Sequence, residues 1–434
     1  MYNIFTLSNG LRVVAENIKY VNSISVGVWI ENGSRNENIV NNGISHFIEH
    51  MFFKGTDKRN AKEIAEEIED VGGQINAFTG KEATCYYIKA LDSHLELSLE
   101  ILSDMLFNSK FTEEDIEKEK GVIIEEINMS EDSPEDVLSD LHSKSIWGED
   151  SISLPILGTI DTVKSFTREQ LLSYVHSRYI PENSVISISG NYDTNAIEAL
   201  IEKYFGSWQV RKEEKVLTEY SSPAILTNHL FRKKSIEQLH ISLGVNGLEI
   251  GDRDIYPLLI LNNIFGGGAS SILFQKVREE YGLCYTIYSY ISAFKNTGII
   301  NIYTGLNFSY ATDVVTLINE ELQKFIKFKI SDEKLRKSKE QLKGNYILGL
   351  ESTSSRMFSN GKSVLFLNKI NTPDEIIKRI DEIDRKRLNI VMEKTFAAGI
   401  KNSAYVGDNL ELEPIVRILE GDVIAFKNQK SKRV

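Results

Sequence analysis

Two histidines, His46 and His50, stand four residues apart in the stretch Gly43-Ile44-Ser45-His46-Phe47-Ile48-Glu49-His50-Met51-Phe52-Phe53, with Glu49 beside the second. On a helix, residues at i and i+4 leave the same face about one turn apart, the spacing that two ligands of one metal ion need. Glu49 falls on the same side but displaced, where a carboxylate can take a proton from water. Ile44, Phe47, Ile48, Met51 and Phe52 leave little of this helix for solvent, so it is expected to be buried. Polar groups in such a setting are costly without partners, and a divalent ion with its water would supply partners for all three.

The pattern H-x-x-E-H is the inverted form of the zinc-hydrolase order H-E-x-x-H. Such a site needs a third protein ligand and leaves a further position open for water. Candidates lie in Glu113-Glu114-Asp115-Ile116-Glu117-Lys118-Glu119-Lys120-Gly121-Val122-Ile123-Ile124-Glu125-Glu126-Ile127. On a helix Glu119 and Glu126 are nearly eclipsed at i and i+7, with Val122 expected between them on one stripe, whereas Glu125 points elsewhere. Acidic runs are usually solvated helix faces, and spacing alone does not choose between Glu125 and Glu126 as the ligand.

The elements that must hold these residues are repeated along the chain. Ile24-Ser25-Val26-Gly27-Val28 reads like Ile241-Ser242-Leu243-Gly244-Val245, 217 residues on, and Gly190 and Gly407 close two further strand-like runs at the same offset. Thr167 and Asp384, also 217 apart, each open a helical pattern as a capping residue. A tight turn is expected at Leu7-Ser8-Asn9-Gly10-Leu11, and helices over 61–71 and 95–107. A further pair, Thr84-Cys85-Tyr86-Tyr87-Ile88 and Leu283-Cys284-Tyr285-Thr286-Ile287, has an offset of 199, which implies that the second half has lost about eighteen residues ahead of this strand. The halves are expected to form two domains, 1–210 and 224–434, joined by the charged linker 211–223. Where a second metal helix would fall, Asp254 to Asn263 has neither histidine nor glutamate, so one metal site per chain is implied.

Bulk properties narrow the functional classes. A chain of 434 residues with net charge -12 is long enough for two sizeable cores, and its only basic concentration is Lys427 to Arg433. Nucleic-acid binding is therefore disfavoured and cationic partners are favoured. No apolar run approaches a membrane span and no leader pattern opens the sequence, so a cytoplasmic, membrane-free protein is expected. Cys85 and Cys284 are read as reduced thiols, and His94, His142, His176, His229 and His240 as structural or exposed.

The H-x-x-E-H segment, Glu119 with Glu126, and the halved architecture resemble the pitrilysin-type inverted-zinc metallopeptidases, relatives of insulin-degrading enzyme and mitochondrial processing peptidase. The resemblance covers essentially the whole chain and is of the one-chain, two-domain prokaryotic kind. It implies that the third zinc ligand is Glu126, 76 residues after His50, and that Glu119 supports the site from behind. Gly72 to Thr79 looks like the family's edge strand, with Asn76, Ala77 and Phe78 binding substrate backbone. Arg278 and Tyr285 match the pair that holds the scissile peptide from the other half, and Gly266-Gly267-Gly268 resembles the glycine-rich loop. The implied fold is α+β, two homologous domains that are each a mainly antiparallel sheet with helices on one side, enclosing a chamber. The implied function is a zinc endopeptidase with one zinc per chain and Glu49 as general base, acting on peptides or unfolded segments; the resemblance also allows a homodimer, and the net charge favours basic peptides. A non-catalytic peptide-binding or scaffold member of the same fold, and a hydrolase of non-peptide amides, are the competing readings.

Overall fold

A computed structural model describes residues 2–208, 215–327 and 330–421. Residues 211–214 of the expected linker and the basic run 427–433 lie outside the described residues. The chain forms two compact units. The first comprises Met1–Met129, Leu154–Glu219 and Tyr346–Asn371, and the second Ser130–Ser153, Tyr220–Asn345 and Thr372–Val434.

The first unit holds strands β1 (Tyr2–Thr6), β2 (Arg12–Asn17), β3 (Ser23–Ile30), β4 (Gln74–Thr79), β5 (Thr84–Leu91) and β6 (Ser184–Gly190). Their order is β1-β2-β6-β3-β5-β4, antiparallel except for the parallel β2–β6 pair. The turn from β1 to β2 is closed by Leu7 N–H on the Leu11 carbonyl, with Gly10 at φ +93°, a conformation that costs glycine little. Helices α1 (Ile44–Met51), α2 (Ala61–Glu69), α3 (Leu95–Asn108) and most of α4 (Glu113–Asp132) belong to this unit. Strand periodicity sends Ile24, Val26, Val28 and Ile30 of β3 to one face, where they join a core with Phe47, Ile48, Leu99 and Leu102. Each side chain so buried contributes about 1.5–3 kcal/mol. The opposite face of β3 carries Ser25, Gly27 and Trp29, and the helix Thr353–Leu367 crosses it: Ser25 Oγ lies 2.9 Å from Thr353 Oγ1, and a Cβ at Gly27 would lie 2.4 Å from Met357 Sδ.

The second unit holds β7 (Asn228–Lys233), β8 (Leu239–Asn246), β9 (Cys284–Phe294), β10 (Thr297–Leu306) and β11 (Ile400–Gly407) in the order β7-β11-β8-β10-β9. Only β7–β11 is parallel. Leu239, Ile241, Leu243 and Val245 of β8 face its core, and α5 (Pro134–Trp147) crosses the other face, with His142 Nδ1 2.7 Å from Ser242 Oγ. Each half of the sequence thus gives one helix to the other unit, so the compact units differ from the division at 211–223. The physical reason is burial: Met357, Val364 and Leu365 of the helix Thr353–Leu367 are covered within the first unit, and Val137 and Leu138 of α5 within the second.

The repeat at offset 217 corresponds to β3 with β8 and β6 with β11, which hold the same places in their sheets. The pairing at offset 199 is corrected. Ile88 of β5 pairs with Val26, and Ile302 of β10 pairs with Leu243, so β10 is the counterpart of β5 and β9 that of β4. Ile88 and Ile302 are 214 apart, a shortfall of three residues and not eighteen. A short alternating apolar run specifies a strand but not its place in a sheet, which is why the match misled.

Candidate metal centre

Helix α1 starts at Gly43, whose φ of +92° and close approach to Leu157, 2.7 Å from a Cβ placed there, leave room for no side chain. Its first N–H groups have no capping side chain at that position, and buried Glu37 serves them instead. Glu37 Oε2 accepts from Gly43 N–H at 2.7 Å and from Asn42 Nδ2 at 2.9 Å, while Oε1 accepts from Ser45 N–H at 2.8 Å. Phe47, Ile48 and Met51 are fully covered, as the apolar flanks of the motif led one to expect. The two imidazoles therefore leave a helix fixed at its start and along its apolar side.

His46 Nε2 and His50 Nε2 point at one carboxylate oxygen, Glu126 Oε2, at 3.7 and 3.5 Å. Two ligand atoms on a tetrahedral zinc with bonds of about 2.0–2.1 Å stand roughly 3.3 Å apart, close to these separations. Among the described residues this is the one group of three histidine, cysteine or acidic side chains whose donor atoms, within 4.8 Å of one another, could hold a metal ion. His46 supports the fit further. Its Nε2 lies beyond hydrogen-bond reach of Glu126 and is open to a ligand, while its Nδ1 is buried without a hydrogen-bond partner, a cost that a metal on Nε2 would leave in place. Burial first, and then the neighbouring His50, lowers the His46 pKa to about 3, so the ring is neutral and ready to ligate.

Behind the ligands, His50 Nδ1 lies 2.7 Å from Glu119 Oε1, and Glu119 Oε2 lies 2.6 Å from Lys54 Nζ. Glu119 is 3% exposed, and although burial opposes it, the bonds from His50 and Lys54 hold its pKa below the usual range. Helix α4 presents Ile116, Glu119, Ile123 and Ile127 as its buried stripe, with Glu126 half-exposed at the margin and Glu125 exposed. Val122, expected on the stripe between the two acids, is instead 51% exposed, because the buried line drifts through Ile123. Glu49 is partly buried beside the histidines, and its Oε2 accepts a 2.5 Å bond from Thr79 Oγ1. Burial raises its pKa, against the lowering effect of that bond.

Thr79 ends β4, which lies last in the sheet order, so its outer edge carries no strand among the described residues. Its residues alternate, Asn76 and Phe78 exposed and Ala77 and Thr79 half-buried. The Ala77 N–H donates to Asn76 Oδ1 at 2.7 Å, and the Phe78 ring packs 5.5 Å from Trp29. In the second unit, Arg278 sits in the helical segment Phe274–Glu280 with its guanidinium 4.6 Å from the Phe274 ring and 5.2 Å from the Tyr285 ring, and Tyr285 is 76% exposed. Gly266 caps the helix Ile255–Phe265, the counterpart of α1, which has no ligating side chain. Glu37, Lys54 and Thr79 were not singled out by sequence reasoning. None of the three carried a local signal, since Lys54 lies past the end of α1 at Met51 and Glu37 ahead of its start.

Within this α+β unit a buried helix aims two imidazoles at a carboxylate of a second helix, a donor set that could hold a metal ion. Residues 12–160 match the family described as Insulinase (Peptidase family M16), and residues 165–342 the one described as Peptidase M16 inactive domain. The chain is 45% identical to the uncharacterized zinc protease YmxG of Bacillus subtilis, over 90% of this chain and 95% of the relative. It is 36% identical to an uncharacterized zinc protease of Mycobacterium leprae, over 91% and 90%. Its fold matches the crystal structure of a protease from Helicobacter pylori with a TM-score of 0.86, at 22% identity over 94% of this chain and 99% of that one. The chain belongs to the M16 peptidase family. No helix among the described residues is long and apolar enough to cross a membrane.

Proposed function

We propose that this chain is a zinc-dependent endopeptidase that cuts extended peptides or unfolded segments, with one zinc per chain. The observation that carries the reading is the convergence of His46 Nε2, His50 Nε2 and Glu126 Oε2. A zinc ion held by these three would supply the Lewis acidity that activates water for attack on a peptide carbonyl. Glu49 takes the proton of the attacking water and returns it to the leaving amine, and its burial-raised pKa suits a group that must do both. Glu119 accepts a hydrogen bond from His50 Nδ1–H, which leaves Nε2 unprotonated and facing the position shared with His46 and Glu126. The open edge of β4, with Asn76, Ala77 and Phe78, pairs with substrate backbone, which gives affinity with little demand on sequence. For Arg278 and Tyr285 as substrate-holding residues, support comes from the family pattern together with their mutual stacking.

The net charge of -12 favours basic peptides, and a homodimer is proposed on the family pattern, with the cytoplasm as its location. Metal analysis of the purified protein and hydrolysis of an internally quenched peptide test the reading. Stoichiometric zinc and chelator-sensitive cleavage are expected. Zinc without cleavage would instead indicate a peptide-binding member of the family that performs no chemistry.

A further inference from the structure

The segment 33–37 ties α1 to the end of β4. Glu37 holds the first turn of α1, while two residues earlier Arg35 N–H donates to the Lys81 carbonyl at 2.7 Å and Ser34 N–H to the Gly80 carbonyl at 3.2 Å. The buried Arg35–Glu82 ion pair clamps the same β4–β5 turn, and a Cβ at Gly33 would strike Gly80 O at 2.2 Å. Glu49 and Thr79 thus sit on elements held in fixed register, and they meet in the 2.5 Å bond from Thr79 Oγ1 to Glu49 Oε2. The next hydroxyl, Thr84 Oγ1, is 3.4 Å from Thr79 Oγ1 and donates at 2.9 Å to the Asn32 carbonyl, so the single Thr79 proton is free for Glu49.

A carboxylate base turns about its last bond, and pinning one oxygen leaves the other aimed in one direction. We propose that Thr79 is a positioning residue for Glu49, fixing the base to the edge strand on which the peptide lies. This inference rests on the reading of Glu49 as base and β4 as substrate strand. Substrate register and base orientation then share one anchor, and an error of about 1 Å in such an arrangement costs on the order of 100-fold in rate.

The test uses the full zinc-loaded chain and an internally quenched peptide, with T79V, T79S and E49Q. Valine keeps the branched shape of threonine and removes the hydroxyl, while serine keeps the hydroxyl. In T79V, kcat should fall about tenfold to 100-fold with KM and zinc content unchanged, and T79S should recover to within about threefold of the parent. In zinc-free protein, the affinity for the same peptide, followed by fluorescence anisotropy, should be equal in T79V and parent. T79V at parental kcat alongside an inactive E49Q overturns the inference. So does a loss in T79V that appears in KM and peptide affinity, or one that serine does not rescue. A parent without chelator-sensitive turnover, or E49Q at the parental rate, overturns the underlying reading and the inference with it.

Discussion

Glu119 bridges His50 and Lys54, its two oxygens 2.7 Å from the imidazole Nδ1 and 2.6 Å from the ammonium. A carboxylate held on both sides orients the ring and selects the tautomer whose Nε2 is free to ligate. Removing it in E119A should weaken zinc binding about 10-fold to 100-fold, read by competition with a chromophoric chelator. E119Q, which can still accept from Nδ1, should lose less. Unchanged affinity in E119A would remove Glu119 from the orientation of His50.

Glu49 is not among the three converging donors. E49Q should therefore keep its zinc while peptide hydrolysis falls by roughly 10²–10⁴-fold. Parallel metal analysis and turnover of one preparation check this, and parental turnover would reassign the base.

Neighbouring acids on α4 should behave oppositely. E126A removes a donor that lies 3.5 and 3.7 Å from the two imidazoles and should release zinc at chelator concentrations the parent withstands. E125A, whose side chain is exposed, should bind zinc like the parent. The comparison reads ligation apart from catalysis, and equal affinities in the two variants would exclude Glu126 as the third ligand.

His142 lies enclosed between α5 and the second sheet, where burial lowers its pKa from 6.5 to about 4. The folded value is below the unfolded one, so this contribution is fully present above pH 6.5 and is lost as the pH falls through 4, where folded and unfolded chains both carry the proton. The span corresponds to about 3 kcal/mol. Thermal unfolding at pH 7 and pH 4.5 should show a larger drop for the parent than for H142Q. Equal drops would mean that another group titrates.

The parts of the site that could be read early are local. His46, Glu49 and His50 fall within one turn of helix, and Thr167 and Asp384 lie beside the helices they cap. Glu37, Thr79 and Lys54 escaped notice because their roles depend on where separate elements come to rest. Thr79 is 30 residues from Glu49, and Glu119 is 69 from His50. Val122 shows the same limit in reverse, since its periodicity was right for some helix face but packing chose the face centred on Ile123.

The amino-acid order alone determined the metal-type helix, the repeat of β3 as β8, and the lack of ligands in the second half, because each follows from spacing along a few turns or from likeness between segments. Which acid of α4 faces the imidazoles, which strands are true counterparts, and which helix covers each sheet were decided by tertiary packing. Those outcomes depend on burying apolar faces that come from distant parts of the chain, and no local period encodes which distant face will be met.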